Sequence, residues 1–333
     1  MRVKLSGQQK KFLSAILTIV VATIFSFILI RLMPGDFIHL RAVEIVQQQN
    51  IPYETAYSIA KTQFNYDPKI PIYKQFYLYI GGLLTGNFGT SMTLRIPVSS
   101  IIFRALPWTL FLCTFSLLAS FLIGSTLGLI MSWKRRSKIL ESLMNLFSVI
   151  TQAVPDFLIG LILLVVFAVR LRWFPLRGAY DMSITPGFSF EFIGSVFYHA
   201  TLPILAFTIS TMGGWALSMR ASATSVLSED YINVAKAKGL KESRIFRRYL
   251  GKNAFIPILP GLAISFGYLI SGSMFIEWMF SYPGIGYFFG YSIGTRDYTL
   301  LQGILFLSTV TIVMINYLSD YIYALIDPRV KLS

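Results

Sequence analysis

The chain has 333 residues, of which 55% are apolar and 13% charged, with 29 lysines and arginines against 15 acidic residues and a net charge of +14. Soluble domains carry about 45–50% apolar and about 25% charged residues, so this composition, with a mean hydropathy of +0.64, excludes an ordinary soluble enzyme. The single cysteine, Cys113, sits inside an apolar run, which leaves no disulfide framework and no thiolate metal site.

In chain order, six segments reach the length of about 20 mostly apolar residues that a bilayer crossing needs. They are Phe12 to Met33, Pro107 to Met131, Leu143 to Val169, Ala200 to Met219, Phe255 to Ile276 and Leu300 to Leu325. The first follows MRVKLSGQQKK in the manner of a signal peptide, but 22 residues without a small-residue cleavage site read as a retained span. Without water at that depth each run must satisfy its own backbone, which dictates helices. The predicted fold is all-α, a polytopic membrane protein with six transmembrane helices. Three parts follow: residues 1–33 as a tail and first helix, 34–106 as an extracytoplasmic segment, and 107–333 as a five-helix core holding a cytoplasmic loop at 220–256.

Orientation comes from the cations. Eighteen of the 29 fall in the N-terminal tail, the short loop from Lys134 to Lys138, the stretch from Arg220 to Lys252 and the C-terminal tail with Arg329 and Lys331. Both termini are therefore expected in the cytoplasm, and the positive charge is explained by topology rather than by a nucleic-acid partner. In the outer segment, FNYDPKIPIYKQFYLYIGGLL repeats Ile72, Phe76, Tyr79, Ile80 and Leu83 at helical spacing. Either an interfacial amphipathic helix or a small helix packed on the spans fits that pattern. No internal repeat or low-complexity tract is present.

Between the fourth and fifth spans lies SMRASATSVLSEDYINVAKAKGLKESRIFRRYLGKNAFIP. It reads as two short helices hinged at Gly239, where a glycine serves as C-cap. The small residues Ala235 and Ala237 just before it would let another protein's backbone come close. A solvated basic loop held near anionic lipid is the alternative.

DYINVAKAKG from Asp230, followed by KNAFIP from Lys252, resembles the EAA loop of permease subunits in binding-protein-dependent ABC importers, specifically the peptide/nickel permease family. RLMPGD at Arg31, GNFGTSMTLRIPV at Gly86, QAVPDFLIGLILLVVFAVRLRWFP at Gln152, HATLP at His199, EWMFSYPGIG at Glu277, RDYTLLQG at Arg296 and DPRV at Asp327 are similar to that family's blocks in the right order. Asn233 and Val234 stand where the general pattern has Glu and Ala, and residues 41–63 have no clear counterpart. The resemblance implies a type I importer permease fold in the cytoplasmic membrane of a prokaryote. It also implies a second homologous permease, two ATP-binding subunits and an extracytoplasmic solute-binding protein as partners. The cargo would be oligopeptides or dipeptides moved by alternating access, although oligosaccharides and nickel complexes are also carried within the family. Coupling would run through Asp230, Tyr231, Asn233, Ala235, Ala237, Gly239 and Leu240. No cofactor is expected on this chain, ATP and Mg being held by the partner subunits, and no G-x-x-x-x-G-K-[ST] loop occurs in it.

Asp156, after Pro155 in the third span, is costly as a carboxylate at membrane depth. It reads either as a pathway residue that attracts a cationic group, such as a peptide's amino terminus, or as a structural partner for a neighbour such as Gln152. Glu277, before SYPGIG, could touch the binding protein, gate an outer vestibule or fix local structure. Gly267, Ser271 and Gly272 are small enough for close helix contact and line either a pore or an interface. His39 and His199 lie far apart without metal-ligand spacing and read as structural; no catalytic residue or metal site is predicted. A stand-alone channel or secondary transporter is the rival reading, and it would call for a filter, intramembrane charge rings or inverted repeats.

Overall fold

A computed structural model describes residues 7–32, 37–64, 70–133 and 138–326. The predicted end of the first span at Met33, the basic loop 134–137 and the DPRV block lie outside them. Four helices are long and apolar enough to cross a bilayer: α1 (Gly7–Leu32), α5 (Val98–Trp133), α8 (Phe190–Leu227) and α14 (Tyr298–Ile326). Two more crossings appear as bent pairs. In the first, α6 (Lys138–Ala153) gives way to α7 (Asp156–Leu163), which continues as a π-helix over Leu164–Arg170, with a bend of 98°. In the second, the run Glu242–Gly267 turns by 57° into Gly272–Met279. The six expected spans are recovered when each bent pair is counted once, and the described residues contain no strand, only an isolated bridge from Thr90 to Pro97.

The first bend has a covalent cause. Pro155 offers no N–H and disfavours helical backbone at the residue before it, so α6 ends at Ala153 and Pro155 is extended at φ −54° and ψ 139°. Asp156, expected within one continuous span, instead opens a new helix. The second pair has a similar logic: Pro257 and Pro260 interrupt the ladder in the 3₁₀ turn Ile256–Ile258 and at the start of α12 (Leu259–Met279), ahead of the bend between Gly267 and Gly272.

The chain divides into two compact units. The first comprises residues 1–107, 284–317 and 332–333. There α2 (Phe37–Gln49) and α3 (Tyr53–Phe64) form a hairpin closed over Ile38, Ala42, Ile45, Ala56 and Ala60, with Asn50 at its turn in the left-handed region, φ +50°. His39 Nδ1 shares a hydrogen bond with the Tyr53 hydroxyl at 2.7 Å. Helix α4 (Ile72–Leu84) has one packed face and one exposed face. Phe76 meets Phe27 of α1 edge-on at 5.1 Å and Tyr79 stacks on the same ring at 5.5 Å, whereas Ile72, Tyr73, Tyr77 and Leu84 are exposed. Helix α13 (Ile285–Gly294) and the start of α14 pack on the start of α5 through Val98, Ile101, Ile102, Ile285, Leu300 and Ile304. A buried carboxylate pins this arrangement. Asp297 accepts from Ser91 Oγ at 2.5 Å, from the Thr93 amide at 3.1 Å and from the Leu300 amide at 3.0 Å.

The second unit comprises residues 108–283 and 318–331. Its helices approach backbone to backbone at glycines. A Cβ on Gly124 would run into the Met212 carbonyl and one on Gly128 into the Ala216 carbonyl, so α5 lies directly on α8; Gly213 lies as closely on Ser148 and Thr151 of α6. Arg220 Nη1 donates to Asn145 Oδ1 at 2.7 Å, tying α8 to α6. The loop before α8 is held by Tyr180, stacked on Trp108 at 6.0 Å and edge-on to Phe192 at 5.1 Å. His199 Nδ1 bonds the Ser195 carbonyl oxygen at 2.8 Å.

Candidate functional site

Both breaks in the second unit border one cavity of about 740 Å³, within the range of about 300–1,000 Å³ usual for ligand sites. The α6–α7 break contributes Gln152, Pro155 and Asp156; α8 contributes Thr211, Gly214 and Ser218; α12 contributes Gly261, Ser265, Leu269 and Gly272. Small and hydroxyl-bearing residues share the wall with apolar side chains, Leu117 of α5 and Trp215 and Leu217 of α8 among them. Asp156 is half-buried, and its Oδ1 accepts from the Phe157 amide at 2.8 Å. Its other oxygen faces the second break, since a Cβ on Gly272 would lie 3.3 Å from Asp156 Oδ2. Gln152 is exposed to the cavity and donates from Nε2 to the Ser148 carbonyl at 3.0 Å. One carboxylate among hydroxyls and bare backbone can hold an ammonium group or a run of peptide-like donors.

Asp156 and Gln152 are thus brought together with Gly272. Gly267 is buried and does not line the cavity, and the Ser271 side chain lies outside the described residues. Glu277 stands apart from them. It is completely buried, and Thr109 Oγ1 of α5 donates to its Oε2 at 3.1 Å. The last turns of α12 direct it toward α5 rather than toward any surface a partner could touch.

The loop 220–256 contains α9 (Asp230–Ala237), then α10 (Glu242–Arg244), a π-helix over Ile245–Gly251 and α11 (Lys252–Phe255). The C-terminus of α9 is a Schellman motif. Gly239, at φ +70°, donates to the Lys236 carbonyl at 2.9 Å, and Leu240 donates to the Ala235 carbonyl at 3.3 Å. Ala235 differs from the sequence expectation: it is 3% exposed and packs inward with Ile232 and Ile245, with Leu240 against them. Its small size serves contact within the chain, because residues 232 and 235 share one helical face. An adjacent, exposed face, at the same spacing of three, presents Tyr231 and Val234, the latter 51% exposed, beside Asn233, Ala237 and Lys238. Val234 is a contact candidate that sequence comparison against the general EAA pattern passed over. Its signal is an apolar residue out of phase with the apolar pair Ile232 and Ala235. Asp230 is exposed in the first turn of α9.

From Ile245 the chain runs through π, α, 3₁₀ and α segments into the cavity wall of α12 without leaving helical geometry. Asn253 Nδ2 donates to the Tyr231 hydroxyl at 3.2 Å and to the Tyr249 carbonyl at 2.8 Å, and Ser222 Oγ of α8 donates to the Ala254 carbonyl at 2.8 Å. The exposed helix α9 is therefore clamped to the foot of the helix that ends at the cavity.

Residues 124–332 match the family of inner membrane components of binding-protein-dependent transport systems. A probable peptide ABC transporter permease of Sinorhizobium fredii is 33% identical over 97% of this chain and 98% of its own length. An oligopeptide transport system permease of Bacillus subtilis is 31% identical over 93% and 94%, and a glutathione transport system permease of Salmonella typhimurium is 32% identical over 97% of each chain. A chain of the inward-facing MetNI methionine ABC transporter shares the fold, with a TM-score of 0.52 at 17% identity over 68% of this chain and 96% of that one. The chain belongs to the inner membrane components of binding-protein-dependent transport systems, among ABC importer permeases of the peptide type.

Proposed function

We propose that this permease passes oligopeptides or dipeptides across the cytoplasmic membrane through the cavity at Asp156, by alternating access driven from the far side of α9. Its partners would be a second homologous permease, two ATP-binding subunits that hold ATP and Mg and carry out the hydrolysis, and an extracytoplasmic solute-binding protein that delivers the cargo. The observation that carries the reading is the covalent continuity from an exposed helix with an unpaired apolar face, Tyr231 and Val234, to the Gly261–Gly272 wall of a ligand-sized cavity. Closure of the ATPase pair would move α9. Because Ile232 and Ala235 are locked on Ile245, that motion is handed to the foot of α12. The break at Pro155 and the bend of α12 between Gly267 and Gly272 are where such a motion can be absorbed, since the first lacks a ladder bond and the second already turns by 57° within one helix. Gln152 and the hydroxyls of α8 would receive peptide groups, with Asp156 taking the free amino terminus.

The test is purification of the assembly in mild detergent followed by mass spectrometry, for the wild type and for Val234→Asp. Two ATPase chains and a second permease are expected with the wild type. The variant, changed on an exposed site, should retain the second permease and lose the ATPases. Recovery of the wild-type chain alone, or as a homo-oligomer, from intact membranes would refute the assembly and favour a self-sufficient transporter.

A further inference from the structure

A second cavity, of about 290 Å³, opens on the first unit beside the α2–α3 hairpin. Three arginines line it, Arg41, Arg95 and Arg296, together with Thr93, Thr295 and Tyr298. The Arg41 side chain is only 9% exposed; its Nη1 pairs with Glu44 Oε2 at 2.6 Å, and its Nε–H is buried without an acceptor. A buried donor left unmade costs about 1–3 kcal/mol, so this atom marks a place where an acceptor is missing. Arg95 Nη2 donates to the neutral Gln48 Oε1 at 2.8 Å. Glu44 is the acid in the wall, and the nearby Asp297 is buried and already accepts from Ser91, Thr93 and Leu300. The guanidinium charge in the cavity therefore exceeds the acid charge around it.

Two of these arginines also sit where the backbone does not favour them. Arg95 and Arg296 have φ of +58° and +55°, a conformation that Asn or Gly adopts at lower cost. The cavity's depth identifies its ligand. Tyr298 begins the apolar stretch Tyr298–Leu318, which places the arginines at the end of a membrane-spanning run, the level of lipid headgroups. Exposed Ile96 and Ile293 flank Arg95 and Arg296 in sequence. Cations at that level, beside exposed apolar residues and Met92 in the cavity wall, suit a headgroup phosphate above its acyl chains. We propose that this cavity is an anion site for a phosphate group, supplied by a phospholipid headgroup and gripped by the guanidinium forks of Arg41, Arg95 and Arg296. A lipid seated there would brace the α2–α3 hairpin against the start of α14.

The experiment is native mass spectrometry of the purified assembly with added phosphatidylglycerol, for wild type, Arg95→Asn, Arg296→Asn, the double variant and Arg41→Gln. Asparagine keeps the left-handed backbone, so the exposed-site variants fold even if Arg41→Gln does not. Retention of the lipid should weaken roughly tenfold for each guanidinium removed, and excess inorganic phosphate should not displace it. Displacement by inorganic phosphate with the same dependence on the arginines would uphold the phosphate site and assign it to the free anion. Equal retention by the wild type and the double variant would overturn the site. Unchanged lipid retention with loss of the solute-binding protein from the variants would also overturn it, in favour of a carboxylate on that protein.

Discussion

Replacement of Gly239 separates two reasons for a glycine at the end of α9. Its φ of +70° strains any residue with a Cβ, yet a Cβ built there meets nothing within 4 Å. Within the chain, then, conformation is penalised and size is not. An L-residue in the left-handed region costs about 1–2 kcal/mol, and asparagine less because its side chain bonds locally. Alanine at 239 should weaken the Schellman end of α9 by about 1 kcal/mol, valine by about 2 kcal/mol or more because it is β-branched, and asparagine hardly at all. Each 1.4 kcal/mol is a factor of ten in local opening, readable by hydrogen exchange of the amides at 238–240, whose acceptors are the carbonyls of Val234, Lys236 and Ala235. The same series in vesicles, assayed as transport-linked ATP hydrolysis, should follow the order Gly, Asn, Ala, Val. If exchange in the alanine variant equals that of the wild type, the argument from backbone strain is refuted. If hydrolysis instead falls in order of volume, with Ala better than Asn, Gly239 is needed bare by the docked partner.

Asp156→Asn preserves shape and the bond from the Phe157 amide, so uptake should fall while the amount and thermal stability of the protein stay level; unchanged uptake kinetics would remove Asp156 from the pathway. Gly128→Ala drives a Cβ into the Ala216 backbone, where no side chain can yield. A loss of about 1–3 kcal/mol is expected, measured as thermal unfolding in detergent, and wild-type stability would mean the helices are not in backbone contact. Asp181 is held below the usual carboxylate range by the Ser183 backbone amide first and the Ser183 hydroxyl second, both at 2.9 Å. A lowered folded pKa stabilises above the unfolded value and is lost as pH falls through the folded one. Exchange at the Ser183 amide should therefore rise, beyond the intrinsic pH trend, only on acidification below about pH 3.9, and in Asp181→Asn that acid step should vanish.

Much of the molecule is legible in the sequence because membrane helices announce themselves by length and absence of charge. Their interruptions are less legible. Pro155 is visible in the third span, but a proline can kink a membrane helix or break it, and the 98° turn depends on α8 accepting α6 at Gly213 and α7 at Ala206, opposite Gly160. The glycine pair at 124 and 128, one G-x-x-x-G spacing, is a sequence signal for close approach, but it does not name the helix approached. Asp156 and Gln152 could be grouped from sequence because one helical turn separates them. Gly272 joins them only through tertiary packing. Asp297 illustrates the converse, for a single acid beside an arginine reads as a surface pair, while its three donors come from residues 91, 93 and 300. Ala235 shows that a small residue near a docking surface can owe its size to the chain's own interior.

The irregularity of the segment from Ile245 to Met279 bears on how force could pass along it. A straight α-helix of that length would move as a rod and translate any displacement at α9 into an equal one at the cavity. Here π geometry at Ile245–Gly251 and the 3₁₀ turn at Ile256–Ile258 replace some of the i to i−4 bonds that stiffen a helix, and α12 itself turns by 57° between Gly267 and Gly272. At the same time the two ends are not free. Ile245 is buried against Ile232 and Ala235, Ala254 is bonded by Ser222, and Glu277 is buried against Thr109. A segment fixed at both ends and already bent in the middle responds to a push at one end by changing its angle at the bend. The bend lies beside Gly272, next to the Asp156 carboxylate. Among the described residues, the one carboxylate in the cavity wall thus stands where the wall already turns.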